Sequence, residues 1–124
     1  MTSDTLTDLQ LAVMKAVWRL GDATVGAVSE QLAADGRQLA PTTVATVLDR
    51  LSKQGWLKGR KNGRQLVYRA KVKEADAARG MLNRLVSAFF AGKVSRLTAQ
   101  LLESEELSAA ELKELRRLID GKGR

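Results

Sequence analysis

Residues 41–70 read "PTTVATVLDRLSKQGWLKGRKNGRQLVYRA". Pro41 suits a first helical position, because its missing N–H is one that a helix start leaves unpaired anyway, and Gly55 suits a helix exit. Between them Val44, Val47, Leu48 and Leu51 follow the i, i+3, i+4, i+7 spacing of one buried helical face. At about 100° per residue, Thr42, Thr43, Thr46, Asp49, Arg50 and Lys53 then point to the opposite side. An outer face with three Thr is unusual, since Thr is a mediocre helix former and surfaces without a task favour Glu, Lys or Ala. Short hydroxyls that carry a methyl suit a crowded groove, where they can bond phosphate or base edges and touch the thymine methyl. Thr42 and Thr43 have a second reading, as capping groups for the helix start. Thr46 and Arg50 lie deeper in the helix, and for them the groove reading is preferred.

The second half of the stretch predicts a β-hairpin. Asn62-Gly63 stands between two short runs, and both residues tolerate the positive φ that a type I′ turn requires. Leu57 and the run Leu66, Val67, Tyr68 are expected to anchor this ribbon to the core. Lys58, Arg60, Lys61, Arg64 and Arg69 surround the turn; with Arg50, Lys53 and Lys71 they make eight basic side chains in residues 50–71, with no acid among them. The 124-residue chain carries a net charge of +7, and residues 1–72 hold 11 basic and 6 acidic residues against 10 and 8 in residues 73–124. The excess is therefore concentrated around the ribbon, and it favours a polyanionic partner.

Upstream, "TDLQLAVMKAVWRLG" opens with the capping box Thr7–Gln10 and closes on Gly21. Leu9, Val13, Ala16, Val17 and Leu20 predict the buried face of a first helix. Met14 and Trp18 form a second apolar edge, read as core packing or as a contact for the C-terminal segment. Thr24 caps a short second helix with Val25, Val28 and Leu32 on one side, ending before Asp35-Gly36. Helix, helix, turn, helix and basic hairpin is the order of a winged helix-turn-helix domain, in which the third helix enters the DNA major groove and the ribbon follows neighbouring phosphates. The expected fold is mainly α with a small β-hairpin wing: a winged-helix N-terminal domain over residues 1–72 and a three-helix dimerisation domain over residues 73–124.

In that second domain Met81, Leu82, Leu85, Val86, Phe89 and Phe90 recur one turn apart. Val94, Leu97, Leu101 and Leu102 follow, and then Leu112, Leu115, Leu118 and Ile119 after the capping box Ser108–Glu111. Three short helices cannot cover stripes this wide among themselves, so a second copy of the segment is the economical cover. A two-fold dimer would also match two reading heads to a palindromic site.

The chain has no Cys and no His. That removes disulfides, thiolate nucleophiles, the usual zinc ligands and the imidazole base of most triads. Glu103, Glu105 and Glu106 read as solvated charge rather than a metal or acid–base site, and "GRKNGR" lacks the spacing of a phosphate-binding loop. Trp18, Trp56, Phe89 and Phe90 read as core packing rather than the lining of an effector pocket. Neither enzyme activity, cofactor nor metal is expected. The polar, acidic start "MTSDTLTD" is unlike a secretory signal and no apolar run reaches a membrane span, so a cytoplasmic protein is expected. The alternative function is a winged module docking an acidic protein or RNA.

"LTDLQLAVMKAVW", the 40–70 block and the tail "LLESEELSAAELKEL" together resemble the penicillinase-repressor family, the BlaI/MecI type of bacterial transcription regulator, from about Leu6 to Ile119. The resemblance implies a homodimeric winged-helix repressor on a palindromic operator, controlling genes that answer cell-wall antibiotics. It places Thr42, Thr43 and Thr46 at base-reading positions and Arg60, Lys61 and Arg64 on the wing. In resistance-system members a protease cuts the second C-terminal helix between Asn and Phe; the aligned pair here is Gln100-Leu101, so a regulatory protease cutting there is a hypothesis. The Cys pairs of the copper-responsive branch have no counterpart.

Overall fold

A computed structural model describes residues 6–122, and residues 1–5 of the polar start lie outside the described residues. The elements are α1 (Asp8–Leu20), α2 (Val25–Ala34), α3 (Pro41–Lys53), β1 (Leu57–Asn62), β2 (Gln65–Ala70), α4 (Glu74–Phe89), α5 (Val94–Glu103) and α6 (Ala109–Lys122). They form two compact units, Met1–Met81 and Leu82–Arg124.

In the first unit, local signals start and stop the helices. The Gln10 N–H donates to Thr7 Oγ1 at 3.2 Å and the Thr7 N–H to Gln10 Oε1 at 3.0 Å, closing the capping box of α1. Thr24 Oγ1 accepts from the Ala27 N–H at 3.1 Å at the start of α2. Val13, Met14, Val17, Val28, Val44, Leu48 and Leu51 are fully buried where α1, α2 and α3 meet. Leu20, expected on the buried face of α1, is instead exposed in the last turn, and Met14 fills the core in its place.

The ribbon differs from expectation at its tip. β1 and β2 are antiparallel, with Asn62 opposite Gln65, so the two turn residues are Gly63 and Arg64 rather than Asn62 and Gly63. Gly63 has φ +67°, while Asn62 and Arg64 stay out of the positive region, which is the pattern of a type II′ turn and not of type I′. The register is set further down the ribbon. Gly59 faces Tyr68, whose ring covers it so closely that a Cβ there would lie 3.2 Å from Tyr68 Cε1. Tyr68 also pairs with Ala23, exchanging bonds of 2.7 and 2.9 Å that add a one-residue third strand to the sheet. Leu57, Val67 and Tyr68 are buried as expected, but Leu66, next to the tip, is 45% exposed.

The first unit extends beyond residue 72. Trp18 Nε1 donates to the Val72 carbonyl at 2.8 Å, and Lys15 Nζ lies 2.8 Å from Glu74 Oε2. Ala77 is buried in the core and Met81, one turn on, packs against it. Met14 and Trp18 therefore belong to the core of the first unit, and the first turns of α4 close that core.

In the second unit, Val86 is the one buried side chain among the described residues. None of the side chains of α5 and α6 is buried. Phe89 is 78% exposed, which corrects its reading as core packing, whereas Trp56 is buried and Phe90 half-buried. Ser108 Oγ accepts from the Glu111 N–H at 3.1 Å, giving the cap of α6.

Candidate nucleic-acid interface

The outer face of α3 is built as the spacing predicts: Thr42, Thr43, Thr46, Asp49, Arg50 and Lys53 are all exposed. The helix begins after Ala40, whose side chain makes no cap bond, and the hydroxyls of Thr42 and Thr43 make no hydrogen bond among the described residues. The capping reading of these two residues therefore has no support, and both hydroxyls are open to a ligand. Thr46 differs. Its Oγ1 donates to the Thr42 carbonyl at 2.9 Å, so its proton is spent inside the helix and it presents a methyl and acceptor lone pairs.

The cations divide in the same way. Lys53 Nζ lies 3.0 Å from Asp49 Oδ2 one turn earlier, a surface pair that any incoming phosphate must compete with. Arg50, Lys61 and Arg64 have no ion-pair partner among the described residues. Arg60 is engaged: its Nη2 lies 3.3 Å from Asp22 Oδ2.

Asp22 is the residue that the sequence reading missed, and it is held by Arg69, one of the cations around the turn. Asp22 lies at the corner between α1 and α2, beside the Ala23 bridge, and its two oxygens accept from Arg69 Nε at 2.8 Å and Nη2 at 3.0 Å. The Arg69 hydrogen bond, with the Arg69 and Arg60 charges outweighing desolvation, holds the Asp22 carboxyl below the usual carboxylate range. The Asp22 tie thus contributes above the unfolded carboxylate pKa of about 3.9 and is lost as pH falls through the lower folded value. Lys58, Arg60, Arg69 and Lys71 line a notch of about 240 Å³ with Ala70. Strand alternation was the available signal, because Lys58 and Arg60 are two apart and Lys58 faces Arg69, which sets all four on one side of the ribbon.

The residues expected at a dimer contact sit in the second unit with varied exposure. Leu82, Leu85, Phe89, Leu101, Leu112, Leu118 and Ile119 are exposed, Phe90, Leu97 and Leu115 are half-buried, and Val86 is buried within the chain. Leu101, Leu102, Leu112, Leu115 and Ile119 line a trough of about 580 Å³ in α5 and α6. Gln100 and Leu101 lie in the last turns of α5, both exposed. No cluster of three or more acids that could hold a metal ion occurs among the described residues, and no helix among them is long and apolar enough to cross a membrane.

A family model described as "Penicillinase repressor" matches residues 6–121. The chain belongs to the penicillinase repressor family. This family member is 29% identical over 115 residues to the penicillinase repressor of Bacillus licheniformis, covering 93% of this chain and 89% of that one. It is 26% identical over 110 residues to the methicillin resistance regulatory protein MecI of Mammaliicoccus sciuri, covering 89% of each. Among solved structures it is similar to the DNA binding domain of the repressor BlaI, at 32% identity and TM-score 0.53, and to monomeric B. licheniformis BlaI in complex with the blaP half-operator, at 32% and 0.50. Each of these comparisons covers 61% of this chain and 93% of the other. The family likeness thus places a winged-helix domain in the first unit, as the order of elements predicted.

Proposed function

We propose that this chain is a DNA-binding transcriptional repressor that acts in the cytoplasm as a homodimer on a palindromic operator, controlling genes that answer cell-wall antibiotics. One observation carries the reading: Thr42, Thr43 and Arg50, without hydrogen-bond or ion-pair partners for their side chains among the described residues, share an exposed helix face in the same unit as a ribbon tip whose Lys61 and Arg64 likewise have no ion-pair partner among them. Such a helix offers groups for base edges, and such a tip offers charge for phosphates. The BlaI half-operator complex supports duplex DNA as the ligand. Exposed apolar residues on α4, α5 and α6 support a second copy as their cover. Selection from random duplexes tests this reading. It should recover an inverted repeat with half-sites about 34–36 Å apart, and recovery of no sequence preference would overturn it.

Two substitutions separate the roles of helix and ribbon. Lys61→Ala and Arg64→Ala should each reduce the slope of log affinity against log salt by about 0.9 on every duplex, since each removes one phosphate contact. Thr46→Ala should instead change the preference among sequences at one position of each half-site, through loss of its methyl and acceptor contacts, and leave the slope alone. Anisotropy titrations over a range of salt read both, and like behaviour of the two kinds of change would refute the division.

We propose further that a regulatory protease cutting the Gln100–Leu101 bond relieves repression. An α5 without buried side chains opens locally at little cost, which a protease needs. Recovery of the intact chain from fully induced cells would rule this out.

A further inference from the structure

We infer that Asp22 is a specificity-determining counter-ion of the wing: it holds Arg60 back from indiscriminate phosphate contact and releases it when the ribbon meets the operator backbone. The inference rests on the DNA-binding reading above and concerns a residue outside the helix and ribbon that do the contacting.

Residues 50–71 carry eight cations and no acid in sequence, yet in the folded chain a carboxylate is inserted among them from the α1–α2 corner. Asp22 grips the two strands unequally. Its contact with Arg69 on β2 is bidentate, at 2.8 and 3.0 Å, the short, two-pronged geometry in which charge-assisted bonds are strong. Its contact with Arg60 on β1 is a single bond at 3.3 Å, at the long end of the range. A phosphate that approaches the ribbon therefore takes Arg60 first and leaves Arg69 in place. Both pairs are well exposed, so the exchange needs no rearrangement of the core.

Asp22 is not needed to keep the ribbon attached. The two backbone bonds between Ala23 and Tyr68 and the burial of Leu57, Val67 and Tyr68 do that. Asn at position 22 keeps the size and one carbonyl acceptor while removing the charge, so the electrostatic consequence is isolated. On an arbitrary duplex, which α3 does not fit, the wild-type Arg60 stays with Asp22 and contributes no counterion release. On the operator, where α3 fixes the register, Arg60 is transferred to phosphate in both proteins.

The experiment measures affinity against salt for wild type, Asp22→Asn, Asp22→Glu, Arg60→Gln and the Asp22→Asn/Arg60→Gln double variant. The probes are a duplex of arbitrary sequence and the inverted repeat recovered by selection. Asp22→Asn should steepen the slope on the arbitrary duplex by about 0.9 and leave the operator slope unchanged. Asp22→Glu should restore the wild-type slope, and the double variant should lose the gain, which shows that Asp22 acts through Arg60. An unchanged arbitrary-duplex slope in Asp22→Asn, or a gain that persists without Arg60, overturns the inference while duplex binding by the wild type keeps the DNA-binding reading intact. Wild-type protein that binds neither probe would overturn that reading and this inference with it. Should Asp22→Asn fail to fold, Arg60→Gln decides the matter: a loss of about 0.9 on the operator alone supports the inference, and equal losses on both probes overturn it.

Discussion

Ile119→Glu is expected to convert the proposed dimer to a monomer in equilibrium sedimentation and to weaken binding to an inverted repeat by about 10²–10⁴-fold. That factor is what linking two binding modules typically adds over one. Ile119 is 62% exposed on α6 and lines the trough with Leu101, Leu112 and Leu115. A carboxylate placed there costs little in the isolated chain, because the position is wet and Glu is a good helix former. In a dimer that covers the trough it would be buried without a partner, at a cost of several kcal/mol. The asymmetry between those two states makes the substitution a test of association rather than of folding. A variant that stayed dimeric and kept full affinity would show that the apolar faces of α5 and α6 are covered by something other than a second copy. Affinity for an isolated half-site should not change, and that measurement separates lost dimerisation from a damaged reading head.

What could be read from the sequence was what neighbours along the chain decide. The Thr7–Gln10 box, Thr24 and Pro41 start their helices within three or four residues, and Val44, Leu48 and Leu51 are buried as helical spacing requires. The winged order followed from these pieces. What escaped was decided by partners far apart in sequence. The ribbon turn moved to Gly63-Arg64 because Tyr68 packs on Gly59 and pairs with Ala23, a choice that no property of Asn62 reveals. The first core took in Ala77 and Met81 because Trp18 and Lys15 fasten the start of α4, so the compact unit runs past the composition shift near residue 72. For the candidate site the same division holds. The Thr face of α3 and the cations of the ribbon were legible by period and charge. The ties that set which of them are free, Asp49 on Lys53 and Asp22 on Arg60 and Arg69, depend on the folded geometry.

Leu48→Ala is expected to lower stability by about 2–5 kcal/mol and the midpoint of thermal unfolding of the first unit by roughly 10–30 °C. Leu48 is fully buried among Val13, Val17, Val28 and Leu51, so truncation removes contacts and leaves a cavity that three short helices can only partly close. With total stabilities of about 5–15 kcal/mol, the change takes a large part of what holds the unit folded. It lies two residues from Thr46 on the same helix, yet points to the other side. Below its lowered midpoint the variant should therefore bind DNA with the wild-type sequence preference and salt slope, while Thr46→Ala should keep the wild-type midpoint and alter the preference. Circular dichroism melts combined with anisotropy on a set of base-substituted duplexes check both halves. A Leu48→Ala protein of unchanged midpoint would mean that α3 is not held by the packing described. A Leu48→Ala protein that remains folded but reads a different sequence would mean that the inner and outer faces of this helix are not independent, and that the reading face depends on packing density as well as on which side chains it displays.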